Sequence, residues 1–115
     1  MKNILLSIIC IISLLYPALN YPSDYQNLTY VHVLFEWDQE PDATSYNLLV
    51  SNQSSFNNFI INIEETTTSY IDTENINWDN TYFWKIKPIY SNGVEGDWTD
   101  VSTFTIQGKQ FKKMV

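Results

Sequence analysis

The side chains of this chain that could do chemistry are few. One histidine, His32, and one cysteine, Cys10, stand among 115 residues. A catalytic imidazole needs a positioned partner and a pocket. His32 instead alternates with Leu34 and Glu36 along an extended stretch, where it reads as a surface residue. A single His and a single Cys supply no zinc-ligand spacing. Acidic residues gather at Asp38, Glu40 and Asp42, and again at Glu64 and Glu65. The first group invites comparison with a calcium loop, which needs converging oxygen ligands and a sharp glycine turn. Ala43 stands where that glycine belongs and Leu49 where the closing glutamate belongs, so the stretch reads as a solvated acidic loop. No glycine-rich phosphate loop is present. The residues therefore offer no catalytic constellation, no metal set and no cofactor site. They do offer aromatics. Trp78, Phe83 and Trp98 fall where a ring could stack on a sugar or anchor a protein partner. The structural alternative is that Trp78 and Trp98 cap the ends of a core. Asn27-Leu28-Thr29 and Asn52-Gln53-Ser54 match the N-glycosylation acceptor, which has meaning only in a eukaryotic secretory host.

Charge narrows the partners. Thirteen acids oppose six lysines, with no arginine. Lys2, Lys109, Lys112 and Lys113 lie near the ends, so residues 21–108 set thirteen carboxylates against Lys85 and Lys87 alone, a balance of −11. Such a surface repels nucleic acid and anionic membrane. A protein or glycan partner remains open.

The elements that position these side chains are strands. Tyr30 to Trp37 alternates, with Val31, Val33, Phe35 and Trp37 on one face. Ser45 to Ser51 alternates with Tyr46, Leu48 and Val50 inward. In the stretch 82–87, Tyr82, Trp84 and Ile86 share one face, and Phe83, Lys85 and Lys87 the other. Period-two alternation of this kind marks half-buried strands. Shorter strands are expected at Phe59–Ile63, Thr66–Asp72 and Val101–Gln107, the last with Phe104 and Ile106 inward. Phe56, in the polar loop Asn52–Asn58, is expected to fold back onto the core. Tyr21–Asn27 reads as an entry segment with the character of an irregular edge strand. Turn residues separate every run, as at Ser91-Asn92-Gly93. Six or seven short strands without a helical period indicate an all-β sandwich. Ile76 and the polar turn before Tyr82 fit a tyrosine corner, in which the Tyr hydroxyl bonds to upstream backbone. The expected core is Trp37, Tyr46, Ile76, Tyr82, Trp84 and Phe104.

The ends differ from this body. Residues 1–20 read as a secretory signal: Lys2, then an apolar run from Ile4 to Leu15 that is too short for the ~20 residues of a spanning helix, then Pro17. Cleavage is expected near Ala18 to Asn20, which leaves no stable membrane span. An uncleaved anchor is the alternative. Residues 109–115 form a basic tail or a truncated linker to a downstream domain.

Several landmarks together resemble the fibronectin type III family. They are Phe-Glu-Trp-Asp-Gln-Glu-Pro ending in Pro41, the Tyr-led run Tyr46-Asn47-Leu48-Leu49-Val50, Ile76 six residues before Tyr82, and Gly96-Asp97-Trp98-Thr99. The forms around Asp42–Tyr46 and Gly96–Trp98 look like modules of secreted bacterial proteins. Trp78-Asp79-Asn80 replaces the family's usual Pro-Gly, and no Arg-Gly-Asp tripeptide is present. The resemblance covers roughly Thr29 to Gln107. It implies an immunoglobulin-like Greek-key sandwich of about seven antiparallel strands over 21–108, and a non-catalytic spacer or interaction module that is secreted or held outside the cytoplasm. Alternatives are an accessory module of a larger exported enzyme and a glycan-binding module using exposed aromatics. Fold alone does not choose among them.

Overall fold

The computed structural model describes residues 17–108. The leader reading up to Tyr16, with Cys10, and the basic tail lie outside the described residues. Eight strands form: β1 (Leu19–Tyr21), β2 (Gln26–Leu28), β3 (Val33–Trp37), β4 (Ala43–Ser51), β5 (Ile61–Glu65), β6 (Ser69–Asp72), β7 (Asn80–Tyr90) and β8 (Ser102–Ile106). They build two sheets, β1-β3-β6 and β2-β8-β7-β4-β5. The chain crosses from one sheet to the other at every connection except β4 to β5 and β7 to β8, in Greek-key fashion.

Several details differ from the sequence expectation. β3 begins only at Val33, with residues 30–32 in the loop before it, and β6 begins only at Ser69. There are eight strands because the entry segment divides at Pro22, which has no N–H to donate. The half before Pro22 pairs antiparallel with β3, and the half after it joins the other sheet. That second half, β2, runs parallel to β8, so the sandwich is not wholly antiparallel. Gln26-Asn27-Leu28 is too short and polar to show this by alternation. The strand expected at Phe59–Ile63 also sits two residues later, at Ile61–Glu65. Ile61 and Ile63 turn inward opposite Val50 and Leu48, while Phe59 stays exposed.

The core is aromatic and lies between the sheets. Trp37, Tyr46, Ile76, Tyr82, Trp84 and Phe104 are all buried there, with Phe35 at the centre. The Phe35 ring meets Trp84 edge-on at 5.2 Å and Phe104 at 5.8 Å; Trp37 meets Tyr46 at 5.6 Å; Tyr82 stacks on Phe104 at 5.5 Å. Edge and offset contacts of this kind add to the area they bury. Trp37 comes from the three-stranded sheet and Trp84 from the five-stranded one. At the corner before β7 the Asn77 amide donates to the Tyr82 hydroxyl at 2.8 Å. The neighbouring turn is held by Asp72, a buried carboxylate at the end of β6. It accepts from the amides of Asn75 (2.9 Å) and Ile76 (3.2 Å) and from Asn75 Nδ2 (2.7 Å). The side chain thereby does for a loop what a cap does for a helix, satisfying amides that have no strand partner.

The sandwich has two ends. The Trp37–Tyr46 ring contact places Leu19, the partner of Trp37, near the Pro88 end of β7. Ile106 pairs with Asn80 at the other end, and the Gly108 amide donates to Asp79 Oδ1 there at 2.9 Å. At the rise of an extended strand the two ends are about 25 Å apart.

Candidate binding surface

The titratable side chains singled out above do not converge. His32 is exposed in the bend that precedes β3, outside the strand in which the sequence placed it. Among the described residues no three His, Cys, Asp or Glu side chains cluster as a metal would require. Asp38 accepts from Asn20 Nδ2 at 2.8 Å, and Glu64 from Ser45 Oγ at 2.9 Å. The Glu40 amide donates to the Tyr46 hydroxyl at 2.8 Å. Burial raises the Glu40 carboxyl and the phenols of Tyr46 and Tyr90 above their ordinary values; the Tyr90 phenol is raised further by Glu40 and Asp97. Its hydrogen bond with Tyr21, then burial, pushes Tyr30 up to about 12. The phenols of Tyr30, Tyr46 and Tyr90 stay protonated at neutral pH.

The aromatics are more informative. Trp78 lies in the corner turn, 47% exposed, and stacks on no other ring among the described residues. Phe83 and Trp98 are half-exposed and belong to one surface, the outer face of the five-stranded sheet around β7. Phe83, Lys85 and Lys87 succeed one another on that face, opposite Ser51, Leu49 and Asn47 of β4.

Two loops close over it. The first runs from Ser91 to Val101. β8 pairs with β7 only as far as Trp84, so the next stretch of β7 needs other partners. The loop supplies them. Gly96 donates its amide to Pro88 O at 2.8 Å; the Thr99 amide donates to Ile86 O at 2.9 Å; Thr99 Oγ1 accepts from the Ile86 amide at 3.1 Å. A Cβ on Gly96 would stand 2.8 Å from Pro88 Cγ, so only glycine admits this approach. Thr99 is buried against β7, and Trp98 beside it lies over both lysines. Lys85 Nζ stands 4.9 Å and Lys87 Nζ 4.8 Å from the centre of its ring.

The second loop joins β4 to β5. It is tied by Ser51 Oγ, which donates to Asn58 Oδ1 at 3.0 Å and accepts from the Gln53 amide at 3.0 Å. Its Phe56 adopts a positive φ of 55°. Contrary to expectation, this ring does not enter the core. It lies outside, 4.4 Å from Lys85 Nζ. The core space at that end is already filled by Val50, Ile61 and Trp84. A lysine stem offers Phe56 an apolar and cationic seat instead. Lys87 also pairs with Glu95. The only two cations of residues 21–108 are thus held side by side beneath two rings. Sequence reading placed Phe83, Lys85 and Lys87 on one face but missed Phe56, whose loop carries no periodic signal.

A search against protein-family profiles returns no match, and neither does a search of curated proteins. Solved structures do match. An Fn3-like protein from Clostridium thermocellum superposes with a TM-score of 0.58 at 23% identity, covering 83% of this chain and 98% of that one. A human fibronectin type III domain, from the KIAA0970 protein, gives 0.59 at 14% identity over 84% and 74%. The α-L-rhamnosidase of Streptomyces avermitilis, solved with L-rhamnose, gives 0.61 at 14% identity, covering 80% of this chain but only 10% of that enzyme. At these identities the likeness establishes the fold: an eight-stranded, two-sheet sandwich of fibronectin type III-like architecture.

Proposed function

We propose that this chain, fibronectin type III-like in fold, is a non-catalytic, exported module that spaces or docks other components. The observation that carries the spacer role is the placement of its ends. The described chain enters beside Trp37 and leaves beside Asp79, at opposite ends of the sandwich. A chain threaded through such a module holds its neighbours about 25 Å apart. The core that fixes this distance is made of interlocked rings, and its chemistry is spent on packing. Export is supported by the apolar run from Ile4 to Leu15 followed by Pro17. In keeping with an accessory role, the match to the rhamnosidase covers a small part of that enzyme, as does one to a β-1,2-glucanase from Parabacteroides distasonis, 13% of whose chain is covered. A module of a larger exported enzyme is the form of this reading that those matches favour.

Spin labels at Asn20 and Gln107 of the full chain test the spacer. One narrow distance distribution, the same at low and high salt, is expected. A broad distribution, or a separation far below 25 Å, overturns the role. Mass spectrometry of exported protein tests the targeting: a start between Leu19 and Tyr21 is expected, and an intact Met1 contradicts cleavage.

A further inference from the structure

The outer face around β7 points to a ligand class. We propose that the strip formed by Phe83, Lys85 and Lys87, with the rings of Phe56 and Trp98 and the amide of Asn62, binds a neutral polysaccharide chain. This deepens the docking side of the function proposed above and rests on it.

Three observations converge. Phe83, Phe56 and Trp98 are half-exposed on one side of one sheet. Phe83, Lys85 and Lys87 occupy alternate positions of a strand, so they span about 14 Å in a line. Phe83 stands at one end of that line, and Phe56 and Trp98 meet Lys85 at its middle. Half-open rings spread over a strip of this length suit the C–H faces of a sugar chain rather than a single small molecule.

Polar groups stand between and beside the rings. Lys85 Nζ has no carboxylate partner among the described residues, although the domain is dense with acids. Its position is set by two rings, so its N–H groups are pre-oriented donors for hydroxyl oxygens. On the neighbouring strands Asn62 Oδ1 accepts from Asn47 Nδ2 at 3.1 Å, which leaves the Asn62 amide nitrogen to donate outward.

Charge selects the class. Over residues 21–108 the balance is −11, and both cations stand in this strip. The surrounding acidity repels a polyanion. A neutral hydroxyl-rich chain carries no charge to be repelled and can accept hydrogen bonds from Lys85. Trp78 stands in the corner turn at the end of the sandwich and is not part of the strip.

Affinity electrophoresis of the full chain in gels containing hydroxyethyl cellulose, xyloglucan or mixed-linkage β-glucan tests the proposal, with polygalacturonate as the anionic comparison. Retardation by at least one neutral polymer is expected. Trp98→Ala and Phe83→Ala should weaken it at least tenfold, Trp98→Tyr should keep most of it, and Trp78→Ala should leave it unchanged. Melting curves of each variant show whether the fold is intact, and Trp98→Tyr, which keeps a ring, keeps the test valid if an alanine variant unfolds. Retardation by polygalacturonate alone, retardation by no neutral polymer, or binding indifferent to Trp98 overturns the proposal. The spacer role survives those results, since it stands or falls with the spin-label distance.

Discussion

The two faces of β7 differ in what holds their side chains. Inward, Tyr82, Trp84 and Ile86 meet residues from other strands, and every ring is locked by another ring. Outward, Lys85 and Lys87 stand under rings brought by loops, and half-exposed Phe83 shares their face. The same strand therefore carries a structural face and a presenting face, alternating residue by residue. The inner face is closed to solvent and has no room for a ligand. The outer face is half-open and contains the only cations of residues 21–108. Stability should reside in the first and recognition in the second.

That division can be broken by mutation, and the effects should fall in order. Trp37→Ala removes a ring packed on Tyr46 inside the core. It should cost roughly 3–5 kcal/mol, a large part of the ~5–15 kcal/mol a domain holds. Denaturant titration should show a molecule mostly unfolded at mild denaturant. Tyr82→Phe leaves the shape of the core but removes the acceptor for the Asn77 amide. A loss of about 1–3 kcal/mol is expected in the same titration. On the outer face, Lys85→Met keeps an apolar stem beneath Phe56 and Trp98 and removes only the charge. Two cation–π contacts are lost, at about 0.5–1 kcal/mol each when exposed, so the effect should reach at most the lower part of the Tyr82→Phe range. His32→Ala touches neither face of β7 and should change stability by less than about 0.5 kcal/mol. If His32→Ala proved the most damaging, the facing of β3 would be wrong. If Lys85→Met rivalled Trp37→Ala, the outer face would be a second core rather than a presenting surface.

The same contrast explains what could be read beforehand. Alternation across Tyr30–Trp37, Tyr46–Val50 and Tyr82–Ile86 states which side chains face inward, because a strand has no other period; in the first run only the part from Val33 on is strand. The corner was legible from Ile76 and Tyr82, since a Tyr leading a strand after a polar turn has few ways to place its hydroxyl. Loops carry no such rule. Phe56 has the same composition cue as a core residue, and only the bonds around Ser51 decide that it lies outside. Asp72 reads as an ordinary strand-end acid until its three hydrogen bonds are seen. The parallel pairing of β2 depends on Pro22 dividing a short segment between two sheets, and no periodic pattern in three residues could announce it. Trp98 was legible as a candidate ring. Its place over Lys85 and Lys87 was not, because it follows from the Gly96 and Thr99 bonds to β7.

The most direct test of the two-face account is to map contacts on the labelled full chain by amide and side-chain chemical shifts. The titrant is whichever neutral polysaccharide retards the protein, supplied as a soluble oligosaccharide. The account predicts shifts at Phe56, Phe83, Lys85, Lys87 and Trp98, with Trp37, Trp78 and Trp84 unmoved. Shifts centred on Trp78 and the corner turn, or none on the outer face of β7, would contradict it.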